Sequence, residues 1–289
     1  MPYYTNRTLV TEFVLLGFSK DFRTNRGLFV MFLFFYLVAV FGNCLILCII
    51  LRNPQLQIPM YFFLCILSIV DLCISTSAMP RLLYDLLTAH KVISIGNCTI
   101  QFFSILYLGG TESLLLALMA YDRFLAISHP LHYPIQMRLS ICYRLTAFLW
   151  IISFIIFIIP PLFMPMALCN PNHINHFMCE VLAVIQLACE SIFLSELVML
   201  ITCFIALFLP FMFVIVSYVC IISSVLKLQS TGRSKAFSTC TSHITVVGKY
   251  LSLFSYTICP ALNPIIYSLN NKEVKEAIHK LFSLTYKRY

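Results

Sequence analysis

Apolar residues run along this chain in long blocks, and charged residues fall between the blocks. Gly27–Leu51, Leu145–Leu168 and Leu197–Leu226 carry no charged side chain. Pro59–Met79 carries only Asp71, and Gly96–Tyr121 only Glu112. A helix crosses the ~30 Å hydrocarbon core of a bilayer in about 20 residues, so each block is long enough to span. Lipid offers the backbone no hydrogen bonds, which makes such blocks helices. The pattern predicts an amino-terminal tail over 1–26, a helical bundle over 27–268 and a carboxy-terminal tail over 269–289. Five spans are expected near 27–52, 59–85, 97–129, 143–166 and 193–228. Cys169–Ile192 is the longest loop. In the last tail Val274, Ala277, Ile278, Leu281 and Phe282 share one helical face, and Lys272, Glu273, Lys275, Glu276 and Lys280 lie elsewhere. That is the pattern of an interfacial amphipathic helix. The fold class expected is an all-α integral membrane bundle.

Composition agrees. The chain is 61% hydrophobic and 10% charged, with a mean hydropathy of +0.93, which leaves too little polar surface for a soluble domain. Met1–Arg26 lacks the pattern of a cleavable signal peptide, so the first span is expected to serve as an uncleaved insertion signal. The net charge of +8 flanks the spans and does not suggest nucleic acid. Arg52, Arg138, Arg144, Lys227, Arg233 and Lys235 fall on one side, together with the tail bases Lys272, Lys275, Lys280, Lys287 and Arg288 if the last span ends there. No Lys or Arg stands between Arg144 and Lys227, where Glu180, Glu190 and Glu196 cluster. The positive-inside rule makes the basic side cytoplasmic. Arg7, Lys20, Arg23 and Arg26 run against it. Asn6-Arg7-Thr8 is a glycosylation sequon and fits a lumenal amino terminus. A second triplet, Asn97-Cys98-Thr99, sits against a span and is expected to stay unmodified.

Three groups carry candidate chemistry. Asp71 and Glu112 lie inside apolar helices, where a lone carboxylate costs several kcal/mol unless it is paired, protonated or ion-bound. Cys98, Cys169, Cys179 and Cys189 lie on the outer, oxidising side, and four cysteines allow three connectivities. A metal site is the other reading there, because His173, His176, Cys179 and Glu180 stand close together. Asp122–Arg123 ends a long apolar helix, where it is either a membrane-edge ion pair or a functional one. His129, His132 and His243 read as boundary residues. There is no phosphate-binding glycine loop, nucleophile elbow or zinc spacing, so an enzyme is not expected.

The run Met119-Ala-Tyr-Asp-Arg-Phe-Leu-Ala-Ile-Ser-His-Pro-Leu-His-Tyr-Pro134 resembles the D-R-Y region of rhodopsin-like G-protein-coupled receptors, and its wording resembles the olfactory receptor branch. Phe124 stands where that branch usually has Tyr, and Ser128 where it usually has Cys. Phe13-Val-Leu-Leu-Gly-Phe18, Pro59-Met-Tyr-Phe-Phe-Leu64, Lys235-Ala-Phe-Ser-Thr-Cys-Thr-Ser-His243, Pro260-Ala-Leu-Asn-Pro-Ile-Ile-Tyr267 and Asn271-Lys-Glu-Val-Lys-Glu276 extend the resemblance over nearly the whole chain. It implies a seven-helix receptor bundle with disulfides Cys98–Cys179 and Cys169–Cys189. It implies that Asp122 holds Arg123 at rest and that Arg123 is released toward a G protein and Tyr218. Asn43, Asp71, Glu112 and Asn263 match a polar cluster that holds a structural sodium ion in such receptors; a protonated network without an ion is the alternative. No other cofactor is implied. The implied ligand pocket takes in Leu106, Gly109, Gly110, Met199, Thr202 and Tyr256, with the two glycines leaving room for a small apolar guest or, alternatively, serving close helix packing.

One region departs from that family. The motifs ending at His243 and starting at Pro260 are separated by sixteen residues, Ile244 to Cys259, where the family has most of two spans and a loop. Ala236–Gly248 makes about 20 Å of helix and Lys249–Tyr267 about 28 Å, against a core of about 30 Å. Roughly twenty or more residues are expected to be missing after Val247 or Gly248, which shortens the sixth–seventh span region. Two arrangements compete. A hairpin turning near Gly248–Lys249 keeps the basic tail inside, whereas one long kinked helix over Ala236–Tyr267 puts it outside; the five tail bases favour the hairpin and a cytoplasmic 269–289. The expected function is a plasma-membrane receptor that binds a small volatile organic ligand and activates a stimulatory olfactory-type G protein, with signalling impaired because the deletion opens the outer wall of the pocket. The alternative is a non-signalling product retained in the endoplasmic reticulum or acting only as an interaction partner. A transporter using Asp71 and Glu112 would need internal repeats or several polar helices, and the sequence has neither.

Overall fold

The computed structural model describes residues 11–18, 21–56, 58–88, 90–163, 172–174, 176–185, 187, 193–226, 259–270, 274, 276 and 277. Five of the helices it describes are long and apolar enough to cross a membrane. They follow the expected blocks with shifted ends.

Helix α1 spans Phe22–Arg52 and starts five residues before the charge-free block. Its start is set by Asp21, whose carboxylate accepts from the Thr24 hydroxyl at 2.7 Å and the Thr24 amide at 3.0 Å. These two bonds, the hydroxyl's first, hold the Asp21 carboxyl below the usual carboxylate range. An Asp N-cap satisfies amides that would otherwise have no partner, so a helix can begin among charged residues. Helix α2 spans Pro59–Leu87, with Pro59 in its first turn, where a missing N–H costs nothing. Helix α3 spans Ile95–Ser128, capped by Ser94, whose hydroxyl accepts from the Asn97 amide. A short helix α4, Tyr133–Gln136, follows on the cytoplasmic side, then α5, Leu139–Phe157. The fourth span breaks at Ile158 and resumes as α6, Ile159–Leu162, because Pro160 and Pro161 supply no amide donors. Short helix α7 is Val181–Ile185, and α8 is Phe193–Leu226. The last described helix, α9, is Cys259–Asn270.

The core sits where α1, α2, α3 and α5 meet. Ile49, Tyr61, Phe63, Leu67, Leu115 and Cys142 are fully enclosed there. Val274, with Ala277 beside it, packs against the same cluster, while Glu276 is exposed. The rest of the expected tail helix lies outside the described residues. Helix α9 packs against α1 and α2, and α8 packs along α3. Gly42 allows the first of these contacts: a Cβ there would lie 2.8 Å from the Pro264 ring.

One small element lies outside the helices. Glu12–Leu15, within the amino-terminal tail, forms a strand, β1. It is the middle strand of a small sheet, antiparallel to β2 (Val92–Ser94) and parallel to β3 (His173–Ile174). Phe13 and Leu15 alternate inward onto Ile93, Ile174 and the Cys98–Cys179 sulfurs, which makes a second small core at the outer end. The sequence signal was the alternation at Phe13 and Leu15. It is short, and its partners come from two distant loops.

Candidate functional site

The outer disulfide between Cys98 and Cys179 joins the first turn of α3 to the long loop across 81 residues, with the Cα atoms 5.4 Å apart. Cys179 is thereby removed as a thiolate donor. His176 pairs with Glu180 at 3.1 Å, and His173 is exposed on β3. Among the described residues no group of three metal-ligating side chains occurs. Cys169, Cys189 and Asn6 lie outside the described residues.

Midway down the bundle, Asn43, Asp71 and Asn263 are each at most 2% exposed. The Asn43 amide donates to the Ala39 carbonyl at 3.0 Å and, across to α9, to the Pro260 carbonyl at 2.9 Å. The Asn263 amide donates to the Asp71 carboxylate at 2.9 Å. Glu112, on α3, lies beside Asp71 and Asn263. One oxygen each of Asn43, Asp71 and Asn263 is buried and accepts no hydrogen bond from the described residues. The cluster is rich in acceptors and short of donors, which suits a small hard cation or shared protons. The four residues singled out in the sequence therefore come together, from α1, α2, α3 and α9.

At the cytoplasmic end of α3, Asp122 is 1% exposed. It accepts a hydrogen bond from the Tyr133 hydroxyl at 3.0 Å. Arg123 is half-buried beside it, and among the described residues no ion pair joins the two. The contact expected from Arg123 is thus made by Tyr133. Burial first, and then the Asp122 charge, push the Tyr133 hydroxyl well above its ordinary pKa. Tyr133 lay within the motif run but carried no expected role. Its place one turn into α4 brings it back under α3. The backbone of Tyr218 lies in α8; its side chain lies outside the description.

The pocket residues divide. Met199 and Thr202 are buried on α8, and the Thr202 hydroxyl is bonded to the Val198 carbonyl. Leu106 and Gly109 are half-buried on α3, and a Cβ at Gly109 would meet nothing within 4 Å. Gly110 fits the packing alternative. Its Cα faces the ring of Phe157 on α5 so closely that no side chain fits, so this glycine serves helix packing and leaves no room for a guest. Tyr256 lies outside the described residues.

A sequence model of the family described as "Olfactory receptor" matches residues 32–257. The chain is 43% identical to the olfactory receptor-like protein OLF3 of Canis lupus familiaris, over 96% of this chain and 95% of that one. It is 42% identical to olfactory receptor 2F1 of Homo sapiens, with the same coverage, and 42% identical to olfactory receptor 2F2 of Homo sapiens. The canine comparison runs over 300 positions, whereas 96% of 289 residues is about 277; roughly twenty positions of the relative thus have no counterpart here. With a helical membrane bundle, a buried polar cluster and a match over most of its length, the chain belongs to the olfactory receptor family and is a multi-pass membrane protein.

Proposed function

We propose that the chain is an odorant receptor of the plasma membrane that binds a small volatile organic molecule from the outer side and activates a stimulatory olfactory-type G protein. The observation that carries this reading is the buried joint between α9 and the first two spans, made by Asn43 to Pro260 and Asp71 to Asn263. A receptor works by shifting between two arrangements of its helices. A joint of buried, partly satisfied polar groups can be remade when helices move, whereas an apolar contact of the same size offers no second hydrogen-bond pattern. At the cytoplasmic end, Arg123 is the group offered to the G protein once Asp122 and Tyr133 separate. On the outer side the guest would lie against Leu106, Gly109, Met199 and Thr202, with Tyr256 closing the wall. Stimulated cyclic AMP in cells with surface-stained receptor is the test. Arg123→Ala should lose the response while surface staining is kept; an unchanged response would remove Arg123 from the role.

The shortened region supports a second reading, a product that inserts but does not signal. The roughly twenty missing positions include, on the motif spacing, part of the pocket wall. Silence of a surface-stained parent across a broad odorant panel would favour it.

The acceptor-rich cluster is proposed to hold a sodium ion at rest, with Asp71 and Glu112 as the charged ligands and Asn43 and Asn263 as neutral ones. Bound sodium would neutralise charge that the bilayer penalises. Thermal stability of the purified chain should then rise when sodium replaces choline, and Asp71→Asn with Glu112→Gln should abolish the difference. Equal sodium dependence in parent and double variant would rule the ion out.

A further inference from the structure

At the outer end of the described bundle, the segment Glu12–Phe18 lies across two others. β1 runs between two loops and bonds to both. The Val14 amide donates to the Asn172 carbonyl at 2.9 Å, Leu16 to Ile174 at 2.9 Å and Gly17 to His176 at 3.2 Å. The Asn172 side chain returns a bond to the Glu12 carbonyl at 2.7 Å. On the other edge the Leu15 amide donates to the Lys91 carbonyl at 2.8 Å. Just beyond the strand, Phe18 stacks on Phe177 with centroids 4.4 Å apart and on Phe32 of α1 at 5.7 Å. Phe177 and Met178 in turn reach Ala78, Met79 and Ile105, the outer contact of α2 with α3. Loop 172–178 is thus pressed onto the bundle from above, by backbone bonds on one side and an aromatic stack on the other.

Gly17 lets the segment make both contacts. Its φ of +70° is the left-handed region, which a β-branched residue resists. A Cβ there would also lie 2.5 Å from the Lys91 Nζ, and Lys91 is itself only 9% exposed. The turn at Gly17 releases the chain from the sheet and aims Phe18 down onto Phe177.

We propose that Glu12–Phe18 is a strap that fixes the outer loop 172–178 over the α2–α3 contact, with Gly17 as its turn and Phe18 as its latch. Among the described residues the disulfide holds the loop at its far end, Cys179. The strap fastens the residues ahead of it, so its release frees them while the Cys98–Cys179 bond stays intact. Loop position is read here without any signalling assay, so failure of the receptor reading would leave this result standing.

The test is timed chymotryptic cleavage of the full chain in detergent, with reduction before electrophoresis because Cys98–Cys179 would hold the two fragments together. Cleavage after Phe177 should be about tenfold faster in Gly17→Val and in Phe18→Ala than in the parent, because local opening becomes more populated. Cleavage after Leu131, 87% exposed at the opposite end, should not change. Gly27→Val, where a Cβ meets nothing within 4 Å, is the matched control and should behave as the parent. Equal rates after Phe177 in the parent and both strap variants would overturn the proposal. Equal acceleration at Leu131 and Phe177 would overturn it too, since the segment would then serve overall stability and not the loop.

Discussion

Tyr133 shows how one hydroxyl can decide the state of a buried carboxylate. Asp122 is enclosed, and a buried acceptor left without its donor costs about 1–3 kcal/mol. Tyr133→Phe deletes only that donor. It should lower the thermal stability of the resting chain and raise its ligand-independent cyclic AMP signal, because Asp122 then restrains the end of α3 less. A variant as stable and as quiet as the parent would show that the bond restrains nothing. The pH sign follows from the direction of the shift. A tyrosine whose folded pKa is raised contributes stability below the ordinary value of about 10 and loses it as pH climbs through the raised value. The Tyr133 hydroxyl should therefore keep its proton throughout the neutral range, and Tyr133 is not the source of any pH dependence of signalling between pH 6 and 8. The sequence showed Tyr133 only as a letter in a motif. Its role depends on α4 folding back beneath α3, a contact across a helix end that no periodicity encodes.

Helices and their faces were more legible than their ends. Charge-free blocks located five spans because lipid penalises every uncompensated charge, a strong and local signal. Ends were displaced where a cap or a proline decided the matter: Asp21 starts α1 early, and Pro160–Pro161 splits the fourth span. Which way a small residue faces was not legible at all. Gly109 and Gly110 are adjacent and chemically identical, yet successive helix positions point about 100° apart, so one abuts Phe157 and the other meets nothing. This contrast is measurable. Gly110→Val must displace an aromatic ring between α3 and α5, and overpacking of that kind costs about 1–3 kcal/mol. Gly109→Val should leave thermal stability near that of the parent. If both variants melt alike, the packing assigned to Phe157 is wrong.

Over the whole molecule the open question was on which side the chain ends, and the contacts of α9 bear on it. Pro260, at the start of α9, is level with Asn43, in the middle of α1. Val274, fourteen residues later, packs in the cluster that holds Ile49, Ile50 and Leu56, at the cytoplasmic end of α1. The chain from Pro260 to Val274 therefore runs in the same direction as α1, from the middle of the bilayer to the Arg52 side. A helix continuous from Ala236 would have to run the other way, because the positive-inside rule expects the motif at Lys235 on the cytoplasmic side. Residues 227–258 lie outside the described ones; the sequence favours the hairpin because five tail bases outweigh Lys249 near the bilayer centre. Packing adds what charge counting could not: two buried amide bonds and a docked Val274, all lost if the tail were outside. A glycosylation sequon added after Tyr289 should therefore stay unmodified in microsomes, whereas Asn6 should carry the glycan of a lumenal amino terminus. Modification of the added sequon would put the tail in the lumen and would be incompatible with the docking of α9 against α1.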